Sequence, residues 1–393
     1  MFPYTIDGFL EGFSNINLPD LKQGAEIELI RDSKENDQKY IPVIRLATSD
    51  DAREITEVFK EAYSGTYPFK ELEDVENVAK LIDEQKIAFN IGRDSDNTLV
   101  GFFMVRLELE QKRGYIGGLA IRNKYKGRLD LFKVAILSFL SLFRSFKGLV
   151  TRWYGETRTA HSKAQYLTSL IGARIIAYLP NKDIMQHKVE SELMHITYDR
   201  EALANRKSRN PPKIIEEVLN CFLYSNRRYN LGPIEIVSPN LSFDNKKTKE
   251  YQTKIEVKKD IQNFGYEIIS FHIQKSKSYF SFLYTPQLQN IEKVDYKIDN
   301  LEELTAFLLY LKDFMKIHSI RYFECYISSH KPNEQFVFYK MGFQPRGYIS
   351  AWNYIENEGR YEDCIVFNYF TGEINKSAQI IPDGVELLKT LKT

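Results

Sequence analysis

The sequence predicts an α/β (α+β) protein of two related units, each a mixed, mostly antiparallel sheet flanked by helices. Short runs rich in branched and aromatic residues alternate with helix-periodic segments along most of the chain. The 393 residues, 43% of them hydrophobic, suffice for more than one sizeable core. A local pattern also recurs: Gln165 precedes Gly172 by seven residues and Tyr178 follows by six, and Gln335, Gly342 and Tyr348 keep both spacings. His161 and His330 stand just before the respective glutamines.

Composition narrows the function classes. Lysine and arginine total 54 against 53 acidic residues, so no global field draws the chain to nucleic acid or a membrane. The cysteines, Cys221, Cys325 and Cys364, follow no metal-ligand spacing, and no metal is expected. A reducing cytoplasm is the natural compartment. The start MFPYTIDGFLEGF lacks the pattern of a secretory signal, and no apolar run approaches the length of a membrane span.

Taken in order, residues 1–41 form an extension with a charged run at Arg31 to Lys39. A first unit, 42–198, opens with a strand at Val43 to Ala47 and a helix through Ala62, with Ser49 or Asp50 as N-cap. A second helix spans Asp74 to Gln85, followed by strands at Ile87 to Gly92, Leu99 to Leu109 and Gly114 to Ile121. Arg122 to Arg128 is a basic turn. Beyond it Phe132, Ala135, Ile136, Phe139, Leu140 and Phe143 repeat at helical spacing, so one face packs on a sheet. A turn of this kind presents free N–H groups at a helix N-terminus, beside Lys124, Lys126 and Arg128. That is an anion site. Leu149 to Glu156 is the next strand, and TAHSKAQ, Thr159 to Gln165, opens the next helix.

The stretch Ala120 to Leu131, AIRNKYKGRLDL, resembles the acyl-CoA pyrophosphate loop of the GNAT N-acetyltransferases, with Tyr125, Lys126, Gly127 and Arg128 matching. Asn123 stands where the family often has proline, and Leu129 and Leu131 replace small residues. Asp130 is a further departure, since a carboxylate in the first helical turn competes with phosphate for the same N–H groups. The element order of 42–198 resembles the same family. The resemblance implies acetyl-CoA or another acyl-CoA as cofactor, held by Lys126, Gly127, Arg128, Leu129, Asp130 and Leu131. It implies backbone amides near Leu119 and Ile121 for the acyl carbonyl, with the acyl group in a gap between the strands at 114–121 and 149–156. The family's usual acid, a tyrosine four residues before the helix-ending glycine, is Thr168 here.

His161 is the obvious replacement, because imidazole titrates near neutrality. Its other reading is a hydrogen-bonding residue at a helix start. Glu156, acting through water, and Tyr166 are further candidates; a strand-end carboxylate is otherwise a solvated edge residue. His187 and His195, in the last hairpin, are expected at the surface.

Residues 199–232 read as a linker with a helix near Ile214 to Tyr224, opened by the basic patch Arg206, Lys207, Arg209 and broken at Pro211-Pro212. A second, degenerate unit at 233–375 is expected to hold a helix at Lys249 to Asn263, then strands, a helix at Leu301 to Ile317, a strand at Tyr322 to Ile327 and a closing hairpin. Its helix start at Asn300 to Glu303 carries a capping box and negative charge where the first unit is basic. Residues 376–393 read as a tail. The favoured function is acyl transfer, acetyl above all, to a primary amine of a small molecule or protein, with the second unit as a substrate wall or homodimer surface. The alternatives are a non-catalytic acyl-CoA sensor or scaffold and, more weakly, aminoacyl transfer of the Fem type, for which no tRNA-binding arm is visible.

Overall fold

The structure, a computed structural model, describes residues 5–14, 26–27, 42–206, 211–374 and 378–391. The charged run at Arg31 to Lys39 and the patch residues Lys207 and Arg209 lie outside the described residues.

The chain begins with α1 (Ile6–Gly12) and the short β1 (Glu26–Ile27). The first half then runs β2 (Val43–Leu46), α2 (Ala52–Tyr63), α3 (Val75–Asp83), β3 (Ile87–Arg93), β4 (Leu99–Glu108), β5 (Arg113–Ile121), α4 (Leu131–Ser145), β6 (Arg152–Arg158), α5 (Lys163–Leu170), β7 (Arg174–Met185) and β8 (Lys188–Tyr198). A connection holds α6 (Arg200–Ala204), β9 (Lys213–Ile214), α7 (Leu219–Tyr229), β10 (Glu235–Ile236) and α8 (Asn245–Thr253). The second half runs β11 (Ile255–Ile261), β12 (Glu267–Ile273), β13 (Tyr279–Thr285), β14 (Asn290–Lys297), α9 (Leu301–Ile317), β15 (Tyr322–Ser328), α10 (Pro332–Lys340), β16 (Gln344–Ile355) and β17 (Arg360–Phe370), and α11 (Pro382–Leu391) closes the described chain.

One sheet of fifteen strands holds both halves, in the order β1-β2-β3-β4-β5-β6-β8-β7-β16-β17-β15-β14-β13-β12-β11. From each outer side the order is the same, with the last two strands exchanged. Among the described residues, only β5/β6 and β14/β15 pair in parallel in this sheet. This is the α/β arrangement of a mixed, mostly antiparallel sheet flanked by helices that the sequence implied.

The halves meet where β7 pairs with β16 through Gly347 and Ala177. A Cβ on Gly347 would lie 2.4 Å from the Ile176 carbonyl oxygen and 2.5 Å from the Ala177 Cβ, so only glycine permits this approach. Just beyond, both strands bulge, at Leu179/Asp183 in β7 and Ile349/Asn353 in β16. Each bulge sends a side chain across. Lys182 reaches Glu292 and Glu324 of the second half, and Trp352 packs on Tyr154 and under the Arg113 guanidinium of the first. Arginines cross in both directions too, Arg152 to the Ala351 carbonyl at 2.6 Å and Arg321 to that of Lys182 at 2.7 Å. Burial pushes the Arg152 pKa down to about 10.

The two repeat glutamines do equivalent structural work. Gln165 Nε2 donates to the carbonyls of Arg158 (3.1 Å) and Gln379 (2.9 Å), and its Oε1 accepts from Ile381 N–H (3.0 Å). Gln335 Nε2 donates to Ser328 (3.0 Å) and Lys213 (3.1 Å), and its Oε1 accepts from Ile215 N–H (3.2 Å). Each thus pins an extended segment from elsewhere in the chain to a strand end.

On α4, Ala135, Ile136, Phe139, Leu140 and Phe143 are buried against α1 and the sheet, as their periodicity required. Four expectations shift. Residues 249–263 are not one helix: α8 stops at Thr253 and Ile255–Ile261 is an edge strand paired with β12, its lysines outward. Charge on an edge strand discourages further pairing, and it also disguised the strand. The linker helix is α7, five residues later than expected, because Pro212 leads into the pairing of β9 with β10. The C-terminal segment forms α11, with Leu387 fully buried against β7 and α7. The first helix starts behind a capping box from Thr48 to Asp51. Burial would raise the Asp51 pKa, but Arg45, the Thr48 amide and Arg93 outweigh it and hold it at about 2.

Candidate functional site

β5 and β6 pair from Arg113↔Arg152 to Ile116↔Gly155 and then part company. Past that point β6 continues along β8, while β5 bulges against β4 around Gly118, which sits at φ +59. A cleft therefore opens between Gly117–Ile121 and Glu156–Arg158, the gap expected for the acyl group. In the second half β14 and β15 separate even sooner, after Ile291↔Phe323.

A pocket of about 180 Å³ lies at the outer end of the first cleft, lined by Ile121, Tyr125, Lys126, Gly127, Leu129, Leu131 and Lys163. Tyr125 is anchored by its hydroxyl on Asp94 at 2.9 Å, and Arg122 is held by Glu61 at 3.1 Å. Lys126, Arg128 and Lys163 are exposed and enter no ion pair among the described residues. Lys163 was not singled out from the sequence; it arrives as the first residue of α5, across the cleft from the basic turn. Gly127 takes φ +81, which favours glycine at the apex of the turn. Asp130 caps α4, its carboxylate accepting from Lys133 N–H at 3.1 Å, so one N–H of that helix start is already engaged. Leu119 lies on the bulge, where its carbonyl accepts from the Tyr63 hydroxyl at 3.4 Å. The Tyr63 and Tyr67 rings sit 4.4 Å apart beneath it.

The three proposed proton carriers are not brought together. His161 is exposed in the turn before α5, and only its carbonyl is used, by Gln165 at 3.3 Å. Tyr166 is 54% exposed on α5. Glu156 is no solvated edge residue: its side chain, 10% exposed, lies at the apex of the cleft, 2.6 Å from Lys182 Nζ. Burial raises its pKa and Lys182 partly offsets that.

The expected surface position of His195 is corrected. It is 1% exposed, with Nε2 2.8 Å from Thr157 Oγ1 and Nδ1 3.0 Å from Thr168 Oγ1. Burial drives its pKa down to about 3, so the ring is neutral. The hydroxyl at the position of the family's tyrosine is thus bound into a buried network. β8 is covered on both faces from Glu190 onward, which removes the alternation that would have marked His195 as interior. His187 is exposed, as expected.

A cluster invisible in the sequence occupies the interface of the halves. Lys182, 4% exposed, bonds Glu156 at 2.6 Å, Glu292 at 2.9 Å and Glu324 at 3.1 Å. Despite burial, these carboxylates keep the lysine charged. Asp183 and Glu192 complete a group of five carboxylates, and burial first, then neighbouring acids, pushes the Asp183 pKa up to about 7. Sequence separation hid the cluster, since Lys182 and Glu324 meet only through the β7/β16 junction. Among the described residues no group of His, Cys, Asp and Glu is arranged to hold a metal ion. No described helix is long and apolar enough to cross a membrane.

The strand order and the parting of β5 from β6 give a mixed α/β architecture with an open cleft in the first half. Similar solved structures include a ribosomal-protein-S5-alanine acetyltransferase from Vibrio fischeri, at 12% identity and a TM-score of 0.36, covering 45% of this chain and 98% of that one. Another is the spermidine/spermine N-acetyltransferase SpeG from Vibrio cholerae, at 17% identity and a TM-score of 0.33, covering 42% of this chain and 96% of that one. No family model and no curated protein matches the chain.

Proposed function

We propose that the protein is an acyl-CoA-dependent N-acyltransferase whose acyl-CoA site is the cleft of the first half. The observation that carries this reading is the parted β5/β6 pair ending in a basic pocket. Lys126, Arg128, Lys163 and the turn amides around Gly127 suit a diphosphate, by charge and by N–H donors. The edge of β5 from Gly117 to Ile121 offers backbone groups to the rest of the cofactor and, near Leu119 and Ile121, to the carbonyl. Acyl-CoA supplies an activated acyl group for transfer to an amine.

His161 is the candidate for moving a proton, because its ring is exposed and makes no hydrogen bond among the described residues, whereas Glu156 is occupied by Lys182. Tyr166 lies a few residues further along the same exposed surface. The second half suits no phosphate. The start of α9 is satisfied by Asn300, which accepts from Glu303 N–H at 3.0 Å, and by Glu303, which accepts from Ser278 Oγ and Asp299 N–H. That half serves as the wall of the first.

A non-catalytic acyl-CoA sensor is the second reading, favoured by the engagement of Thr168 with His195 where the family's acid would stand. Thermal shift with acetyl-CoA and longer acyl-CoAs tests binding, which both readings require; a ligand at a hundredfold excess over its Kd adds about 2.7 kcal/mol. Turnover with a panel of amines separates them. Binding without turnover on any amine selects the sensor, and no binding at all removes both.

A further inference from the structure

The cluster between the halves sets five carboxyl groups against one lysine ammonium. Cross-strand pairing puts Tyr115 opposite Tyr154 and Arg158 opposite Glu192. With the two-residue alternation of strands, Tyr115, Tyr154, Glu156, Arg158 and Glu192 therefore share the face of the sheet turned away from Trp153 and α4. Lys182 and Asp183 enter from the β7 bulge, and Glu292 and Glu324 from the second half, each the first residue past the last β14/β15 pair. Lys182 is shared among three of the five carboxylates. Arg321 turns its guanidinium to the carbonyls of Asn181 and Lys182, and Arg158 is taken by Glu190 at 2.6 Å.

Two groups remain open. Glu192 is 5% exposed, its side chain makes no hydrogen bond or ion pair among the described residues, and burial, with Asp183 and Glu156 beside it, raises its pKa well above the ordinary carboxylate value. Asn290 is fully buried; its Nδ2 donates to Asp183 at 3.3 Å, and its Oδ1 has no partner. Asn290 Oδ1 is an acceptor, and the Glu192 carboxyl becomes one when it ionises, the form a bound cation favours. Buried acceptors are satisfied by a donor, and buried carboxylates by a positive one. The site adjoins the acyl cleft, because Glu156 is the first β6 residue past the last pair with β5.

We propose that this cluster is the acceptor site: it takes a small primary alkylammonium that carries no carboxylate, held through Glu192 and Asn290 Oδ1 with Asp183 beside them. The tyrosines Tyr115, Tyr154, Tyr322 and Tyr326 give the alkyl part an aromatic surround. An acceptor bearing its own carboxylate is repelled by the same five acids. That the bound amine is then acylated rests on the acyltransferase reading; its binding does not.

The test is calorimetry on the full chain near pH 7.5 with n-butylamine, 1,4-diaminobutane, 4-aminobutanoate and n-butanol. The two amines bind, and 4-aminobutanoate and butanol bind at least about tenfold more weakly. Glu192→Gln keeps the shape of the side chain and weakens amine binding by about tenfold or more, with the acetyl-CoA thermal shift unchanged. Asp183→Asn weakens it in the same direction, which keeps the test open if one variant folds poorly. Amines that bind no better than butanol overturn the proposal, since water alone then satisfies Glu192 and Asn290; so does unaltered binding in both variants. Amine binding without any acetyl-CoA shift retains the acceptor site and removes the acyltransferase reading. An acetyl-CoA shift without amine binding does the reverse.

Discussion

Ala177 and Gly347 face each other across the one pairing between β7 and β16, and they are equivalent positions of the two halves. Their separation along the chain equals that of the repeat glutamines Gln165 and Gln335. The two halves are therefore related about this point, and Lys182 one way and Trp352 the other cross between them from the bulges just beyond it.

Gly347→Val should disrupt that junction. The new side chain meets the Ile176 carbonyl at 2.4 Å, a backbone atom that cannot swing aside. Forcing extra volume into a packed site costs about 1–3 kcal/mol. Denaturant unfolding measures it, and a variant as stable as the parent would show that the halves do not depend on this contact.

Lys182→Met removes the ammonium and leaves Glu156, Glu292 and Glu324 facing one another. Breaking a buried ion cluster from one side costs about 3–5 kcal/mol. The loss should shrink at pH 5, because the freed carboxylates then take up protons. Equal destabilisation at pH 5 and pH 8 would contradict the charge argument.

Asp51 gives the fold an acid limit. Its folded pKa of about 2 lies below the ordinary aspartate value of 3.8, so its ion pairs with Arg45 and Arg93 contribute fully above pH 4 and fade as pH falls towards 2. Asp51→Asn should lose this contribution at neutral pH and flatten the stability profile between pH 4 and 2. Parallel acid-unfolding curves for parent and variant would assign the acid sensitivity elsewhere.

Lys126→Glu with Arg128→Glu should weaken acyl-CoA binding by more than about tenfold, because both then repel the diphosphate. Calorimetry reads the change. Unchanged affinity would move the cofactor away from the pocket beside Gly127.

His161→Gln separates a proton carrier from a structural turn residue. A carrier predicts turnover lowered by roughly a hundredfold with acyl-CoA affinity nearly intact. Its exposed ring predicts almost no change in thermal midpoint. Normal turnover would pass the proton to Tyr166, Glu156 or water.

By itself the sequence determined the order of strands and helices from Val43 to Tyr198, the buried stripe of α4 and the basic turn at Lys126 to Arg128, because these depend on near neighbours: periodicity, caps and turn residues. Spacing alone also revealed the repeat of Gln165 and Gln335. Only the tertiary structure decided that those glutamines pin distant segments, that His195 is buried and neutral, and that Ile255–Ile261 is a charged edge strand rather than a helix. It also decided that Glu156 answers to Lys182 and, through it, to Glu292 and Glu324. The reason is physical: burial on both faces of a strand erases alternation, and the ionisation of a carboxylate is set by groups that folding brings from the other half of the chain.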